Sequence, residues 1–343
     1  MSKLAEFPDL AAVREQAADW IARQSRGLTA EEEIELQRWR AKSINARTLA
    51  HMAAMWDELD VMKVLADVIP DTPAAPARPS RQRSWRPALA ASLVAALVLA
   101  GAGAWWYGGI ARAPAVVAAA PGVTYTTAVG EHRSLPLADG SMLAINTDSM
   151  VEVVAMSGRT RELRLLRGEA HFAVAHDPAR PFRVSVGGHV VQAVGTAFDV
   201  RLHGNGSLEV TVNEGRVRVL KGSATTGLLD RGQALRTAAD GSTQITQITQ
   251  LEGDALASRL AWRSGMLVFN GETLAAALEE FSRYTPARFL VTDPQLQRLR
   301  IGGYFPAGNT DVLLETLRTD FGLNCVRGAD GVIRIRPGRK PAG

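Results

Sequence analysis

Apolar residues recur along this chain first at helical spacing, then without interruption, then at every second position, and finally in a mixture of helical and strand rhythms. Leu10, Val13, Ala17, Trp20 and Ile21 follow Asp9 at intervals of three and four, which places one apolar face on a helix ending near Gly27. A second helix is predicted to start at once. Thr29 and Glu32 stand at the capping-box spacing, and Glu31, Glu32 and Glu33 fill a first turn where carboxylates favour the positive end of the helix dipole. Ile34 and Trp39 are its expected inward side. A third pattern, Leu49, Met52, Ala53, Trp56 and Leu59, runs toward Leu65 and Val68 before Pro70 ends it. Residues 1–71 thus read as a small all-α bundle, and 72–86 as a Pro/Arg-rich linker.

From Pro87 to Ala111 the chain has no charge over 25 residues. At the helical rise this run reaches roughly 37 Å, more than the roughly 30 Å of a hydrocarbon core. Trp105, Trp106 and Tyr107 near one end resemble an interfacial aromatic belt, so 87–111 is predicted to be a single transmembrane helix. Arg78, Arg81, Arg83 and Arg86 precede it and only Arg112 closely follows, so the N-terminus is expected in the cytoplasm and the C-terminus outside, in the periplasm of a bacterium.

After a short linker, 112–122, strict alternation sets in. MLAINT, VEVVAM, RELRLL, AHFAVA, FRVSV, VVQAVG, AFDVRL, LEVTV and RVRVL read as separate strands, punctuated by Asp139-Gly140, Ser157-Gly158, Gly187-Gly188 and Glu214-Gly215. Residues 123–240 are therefore an all-β domain, either a sandwich or a solenoid-like stack. A linker is expected over 241–260. Beyond Trp262 the order of patterns is β-α-β-β-α-β-β, with helices from Thr273 to Tyr284 and from Thr310 to Phe321, giving a compact α+β module over 261–337.

Charge sharpens the picture. The net balance is +4, yet residues 1–71 carry 9 Lys/Arg against 13 Asp/Glu, while 72–86 carry four Arg and no acid. An acidic bundle argues against direct nucleic-acid binding and for a protein partner. No cofactor or metal constellation stands out: His171 and His176 lie five apart, on opposite faces of an extended strand, and Cys325 is a lone cysteine. The chain is not expected to be an enzyme.

The string TAVGEHRSLPLADGSMLAINTDS, with RLLRGEAHFAVAHDPARPFRVSVGGHVVQAVGTAFDVR and VTVNEGRVRV, closely resembles the periplasmic domain of the FecR family of transmembrane sigma-factor regulators. AADWIAR, LQRWRAKS and ARTLAHMAAMW resemble that family's cytoplasmic anti-sigma region. AWRSGMLVFNGETLAAALEEFSRYT resembles its C-terminal module, which is similar to the short N-terminal domain of secretins and TonB-dependent receptors. Many relatives carry His where this chain has Asn45, a good N-cap residue for the third helix.

The resemblance implies a single-pass inner-membrane signal transducer that binds an extracytoplasmic-function sigma factor inside. Outside, it would answer the signalling domain of a TonB-dependent outer-membrane transducer, in the regulation of iron or siderophore uptake. Trp20, Trp39 and Trp56 are candidate sigma-factor contacts, although tryptophans so placed also serve as core anchors. Periplasmic and intramembrane proteases are the implied processing partners. The family likeness further implies single-turnover self-cleavage at Gly195-Thr196, by attack of the Thr hydroxyl on the preceding carbonyl. An alternative reading is a periplasmic assembly or scaffold protein related to secretin systems, given the kinship of the C-terminal module.

Overall fold

The computed structural model describes residues 10–42, 44–50, 52–53, 122–238, 245–251 and 253–338. All of them belong to one compact unit made of residues 1–57 and 118–343. The predicted tether, the predicted span at 87–111 and Trp56 lie outside the described residues, among which no helix is long and apolar enough to cross a membrane.

Helices α1 (Leu10–Ser25) and α2 (Ala30–Arg40) form as their pattern dictates. The capping box is complete: Thr29 Oγ1 accepts from the Glu32 N–H at 3.2 Å, and the Glu32 carboxylate accepts from the Thr29 N–H at 3.0 Å. Ala17, Trp20, Leu36 and Leu49 make the core, with Trp39 packed beside it. Ile34 does not face inward as expected; it is 62% exposed, and Leu36 takes the buried place. Two helical residues apart means about 200° around the axis, so Leu36 and Ile34 cannot share a face. Asn45 also departs from its expected role. It lies within the helical residues 44–50 (α3), and its side-chain amide donates to the Trp39 carbonyl at 2.9 Å, closing the end of α2 instead of starting α3.

The helices rest on the C-terminal module. Ile44 and Tyr304 are buried together beside Met266 and Val268, Arg14 donates to the Tyr304 hydroxyl at 2.6 Å, and the Arg47 guanidinium lies over the Phe305 ring.

Thirteen strands form one continuous sheet between residues 123 and 250. Its pivot is β5 (Arg161–Ala173), where two separate strands are predicted and one of 13 residues is found. The first half of β5 pairs with β4 (Met150–Met156) and, in parallel, with β6 (Phe182–Val186). Its second half pairs with β3 (Met142–Ile145) and β8 (Ala197–Leu202). From β6 the first half of the sheet continues through β7 (His189–Ala193), β10 (Arg216–Lys221) and β11 (Ala224–Asp230). From β8 the second half continues through β9 (Leu208–Glu214), β12 (Gln233–Thr237) and β13 (Ile245–Gln250). The short β1 (Val123–Thr126) and β2 (Arg133–Pro136) add to β4 and β3.

The two halves fold toward each other over one core. Phe172 of β5 stacks on Phe198 of the second half at 5.2 Å between ring centres and meets Phe182 of the first at 5.8 Å. Between the sandwich and solenoid expectations, the arrangement is that of a bent sheet closed like a sandwich, with a strand that switches halves. The loop from β5 to β6 is held by Arg161, whose fully buried side chain pairs with Asp139 at 3.1 Å. It also donates to the carbonyls of Ala175, Asp177 and Arg180.

The stretch expected as a linker is folded. Residues 245–250 form β13, and Gly253–Leu260 form α4. The α+β module follows with β14 (Met266–Thr273), α5 (Leu274–Ser282), β15 (Arg288–Val291), a short α6 (Pro294–Gln297), β16 (Arg300–Pro306), α7 (Thr310–Thr319), β17 (Leu323–Arg327) and β18 (Val332–Pro337). Strand β14 pairs with β16, and β18 lies between β15 and β17. Strand β18 is thus central, with both sides occupied. The free edges of this sheet belong to β15 and β17, where Leu290 and Val326 are exposed.

Gly168 makes the turn of β5 possible. Its φ is +82°, and a Cβ there would lie 2.7 Å from Cα and Cβ of Ser149. Gly168→Ala is expected to cost more than about 1–3 kcal/mol and to lower the melting temperature of the purified chain. Gly158→Ala, where a Cβ meets nothing within 4 Å, should leave it unchanged by the same measurement.

Candidate functional site

Beyond Gly168 the alternation of exposure stops. Glu169, Ala170, His171 and Phe172 are all buried, as are Ala197 to Val200 on β8 and Leu208 to Val212 on β9. One face of this half-sheet packs into the β core. The other carries Glu169, His171, Asp199, Arg201 and Glu209 in cross-strand register, and the α+β module with α4 covers it. A face that the sequence marks as polar is therefore an interior surface between two domains.

Charge pairing makes this burial tolerable. Arg283, at the end of α5, donates to Glu169 at 2.6 Å and to Glu280 at 2.5 Å, and Arg201 reaches the other oxygen of Glu280 at 2.8 Å. The Asn146 amide bridges the Glu169 carboxylate (2.9 Å) and the Tyr284 hydroxyl (2.7 Å), and Thr147 Oγ1 donates to the Arg283 carbonyl at 3.0 Å. Arg259 of α4 pairs with Glu209. A cavity of about 470 Å³ remains between the domains, lined by Arg201, His203, Arg236, Trp262 and Glu272 among others.

Burial raises the Glu169 carboxyl, but Arg283 and Arg201 outweigh it and hold the group below its ordinary value. Asp199 goes the other way: burial first, then the Glu169 charge beside it, push its carboxyl well above the usual range. Of the two carboxyls, Glu169 carries the charge and Asp199 the proton. Burial, with Arg263 adding to it, pushes His171 down to about 3, so its imidazole is neutral; both ring nitrogens lack a hydrogen-bond partner among the described residues. His171 lies within β5 and His176 beyond its end, so the two are not on one strand.

The Gly-Thr pair occupies a different place. VVQAVG and AFDVRL, read as separate strands, are separate here too: β7 ends at Ala193, β8 begins at Ala197, and residues 194–196 cross from one half of the sheet to the other. The crossing is pinned on both sides, because the Asp177 N–H donates to the Val194 carbonyl and the Val174 N–H to the Thr196 carbonyl, each at 2.8 Å. Gly195 does not owe its identity to a left-handed backbone. It is required by close approach, since a Cβ there would lie 2.9 Å from Cα and Cβ of His176. Opposite, Gly215 (φ +75°) leaves room for the Thr196 methyl and the Gly195 carbonyl. Thr196 is 7% exposed and its hydroxyl has no hydrogen-bond partner among the described residues.

Of the tryptophans singled out as partner contacts, Trp20 is buried and its ring lies 6.4 Å from that of Trp39. Trp39 is half-buried, its indole N–H donating to Gln16 at 2.6 Å. The interdomain residues Glu169, Arg201, Arg283 and Tyr284 were not anticipated from the sequence. Their signal was the alternation itself, which places Glu169 with His171, and Asp199 with Arg201, on one face of paired strands.

Residues 123–218 match the family model described as FecR protein. Two crystal structures of a “putative anti-sigma factor” from Parabacteroides distasonis ATCC 8503 share the fold, each at 19% identity. Their TM-scores are 0.52 and 0.51; each match covers 63% of this chain, and 100% and 99% of the respective structure. At that identity the likeness concerns the fold. No curated protein matches the chain.

Removing one side of the interdomain pair leaves the other buried and uncompensated. Arg283→Met is expected to destabilise the chain by about 3–5 kcal/mol in urea unfolding, with the double change Arg283→Met, Glu169→Leu costing less than the sum of the single changes. Asp199 generates a pH signature. Because its folded value is raised, its stabilising contribution is complete below the unfolded value of about 4 and is lost as pH rises through the folded value. Asp199→Asn has no proton to lose, so its melting temperature should gain on that of the parent as pH is raised from about 4 to about 7.

Proposed function

We propose that this chain, which belongs to the FecR family through its domain at residues 123–218, is an anti-sigma regulator that holds a sigma factor with its N-terminal helices. The match of that domain carries the reading. The fold shared with the Parabacteroides protein, over the whole length of that structure, supports it.

In the fuller form of the proposal, residues 87–111 span the inner membrane, the helical domain stands in the cytoplasm, and the β domain and α+β module stand in the periplasm. There they receive a signal from a TonB-dependent outer-membrane transducer, in iron or siderophore uptake. The sigma factor is of the extracytoplasmic-function class, and periplasmic and intramembrane proteases complete the release. An inserted span separates α1–α3 from the module on which they rest, so that packing and this topology exclude one another at any one moment. Insertion uncovers Ile44 on one side and Tyr304 on the other. Since Trp20 is buried, the surface of the helical domain left for a partner includes α2, with Ile34, Glu31, Glu33 and Glu35 exposed along it. An apolar residue ringed by carboxylates suits a partner surface that is apolar at its centre and basic at its rim.

The reading includes self-cleavage at Gly195-Thr196. The crossing bond joins strands in opposite halves of a sheet that share one core, so the two fragments remain associated after scission.

A chain tagged at both ends tests these points together. In a host membrane, the N-terminal tag should co-precipitate a sigma factor, and trypsin added to spheroplasts should remove only the C-terminal tag. A denaturing gel should show two fragments for the parent, one intact band for Thr196→Ala and partial cleavage for Thr196→Ser. Failure to retain any sigma factor of the host would remove the central claim.

A further inference from the structure

We infer that His176 is the proton carrier for scission of the Gly195-Thr196 bond; the inference rests on the self-cleavage reading and adds a group that the Gly-Thr pair does not itself contain. The placement is fixed by backbone. Residues 174 and 177 hydrogen-bond to the carbonyls of 196 and 194, which sets His176 directly across from Gly195. A Cβ on Gly195 would run into Nδ1 of the His176 ring as well as its Cα and Cβ, so the absence of a side chain at 195 is what admits the imidazole to the bond.

The hydroxyl is in a corresponding state. Thr196 Oγ1 is buried without a hydrogen-bond partner among the described residues, which leaves it desolvated and uncommitted, at a cost the fold carries elsewhere. Both residues line a cavity of about 280 Å³ together with Gln192, Arg216, Arg218 and Leu228. The guanidinium groups of Arg216 and Arg218 cannot accept a proton, and the Gln192 amide cannot carry one. An imidazole can accept a proton on one nitrogen and donate one from the other, and His176 is exposed, so water reaches the same place.

The steps balance as follows. Thr196 Oγ1, which makes no hydrogen bond to His176 in this structure, passes its proton to the imidazole through water in the cavity both residues line, as it bonds to the Gly195 carbonyl carbon. The bond from that carbon to the Thr196 nitrogen breaks, and His176 returns the proton to the nitrogen, which becomes a free amine. Water then adds to the ester so formed, with the imidazole again taking and returning a proton. Gly195 is left as a carboxylic acid, and Thr196 regains its hydroxyl.

The full-length chain, followed by denaturing gel from synthesis onward, tests this with His176→Ala, His176→Gln and Thr196→Ala, each with and without added imidazole. His176→Ala should convert about 10²-fold more slowly than the parent, and imidazole should recover part of that loss. Thr196→Ala should stay intact in either condition. Imidazole rescue separates a proton carrier from a packing residue, because a merely structural defect does not respond to it. If circular dichroism shows that His176→Ala has lost the parent's β structure, His176→Gln decides: it keeps a polar side chain of similar reach and should still convert slowly. Conversion of either folded variant at the parental rate overturns the inference, as does a slow, folded His176→Ala that imidazole leaves unchanged. A parent that never cleaves removes the self-cleavage reading, and this inference with it, whereas the failures that concern His176 alone occur in a parent that does cleave.

Discussion

One strand belongs to both halves of the β domain, and that constraint organises the rest. Because β5 pairs on its first seven residues with β4 and β6 and on its last six with β3 and β8, the halves of the sheet cannot be displaced without breaking it. The change of partner needs a bend within an unbroken strand. Gly168 supplies it with a backbone conformation that side chains resist, and the Ser149 backbone closes the space where a side chain would go. The residue after the bend, Glu169, is then carried to the outer face, where it meets Arg283. Bend and interdomain contact are adjacent in sequence because the second depends on the direction set by the first.

That contact is ionic where most interior contacts are apolar. Arg283, Glu169, Glu280 and Arg201 form a chain of alternating sign, closed by Asn146 and Tyr284. Such networks add little net stability over an apolar interface, yet they penalise any arrangement that leaves a member unpaired. The α+β module cannot slide on the β domain by a residue or a helical turn without stranding a buried charge, so a force on one is passed to the other. The proton held by Asp199 fits the same logic, since two ionised carboxylates so close in a buried site would repel.

The crossing at 194–196 sits at the other place where the chain changes halves. Where β5 changes partners within one strand, here the chain leaves β7 and enters β8 through three residues, clamped by the segment 174–177 and backed by Gly215. Two glycines are required there for room, one beside His176 and one beside Thr196. The residue left between them is a threonine whose hydroxyl is buried without a partner, an arrangement that packing alone does not call for.

Much of this was written locally. The capping box at Thr29 and Glu32, the α+β order after Trp262 and the strands of the β domain follow from periods and caps that act over a few residues; the box formed as read, and the module added only the short α6 to its order. The 25-residue uncharged run is likewise a property of the sequence alone. Local rules could not say that RELRLL and AHFAVA are one strand, because a glycine in a strand marks a break and a bend equally well. Nor could they say that Val332–Pro337 is a middle strand, since pairing partners are chosen by residues far along the chain. Ile34 and Leu36 are both apolar, and which of them faces inward was settled by where α1 and α3 lie. The charged face of Glu169, His171, Asp199 and Arg201 was legible as a face but not as an interior one. A strand's period fixes which side chains lie together; what covers them depends on a second domain far along the chain, and only the packed structure brings it there.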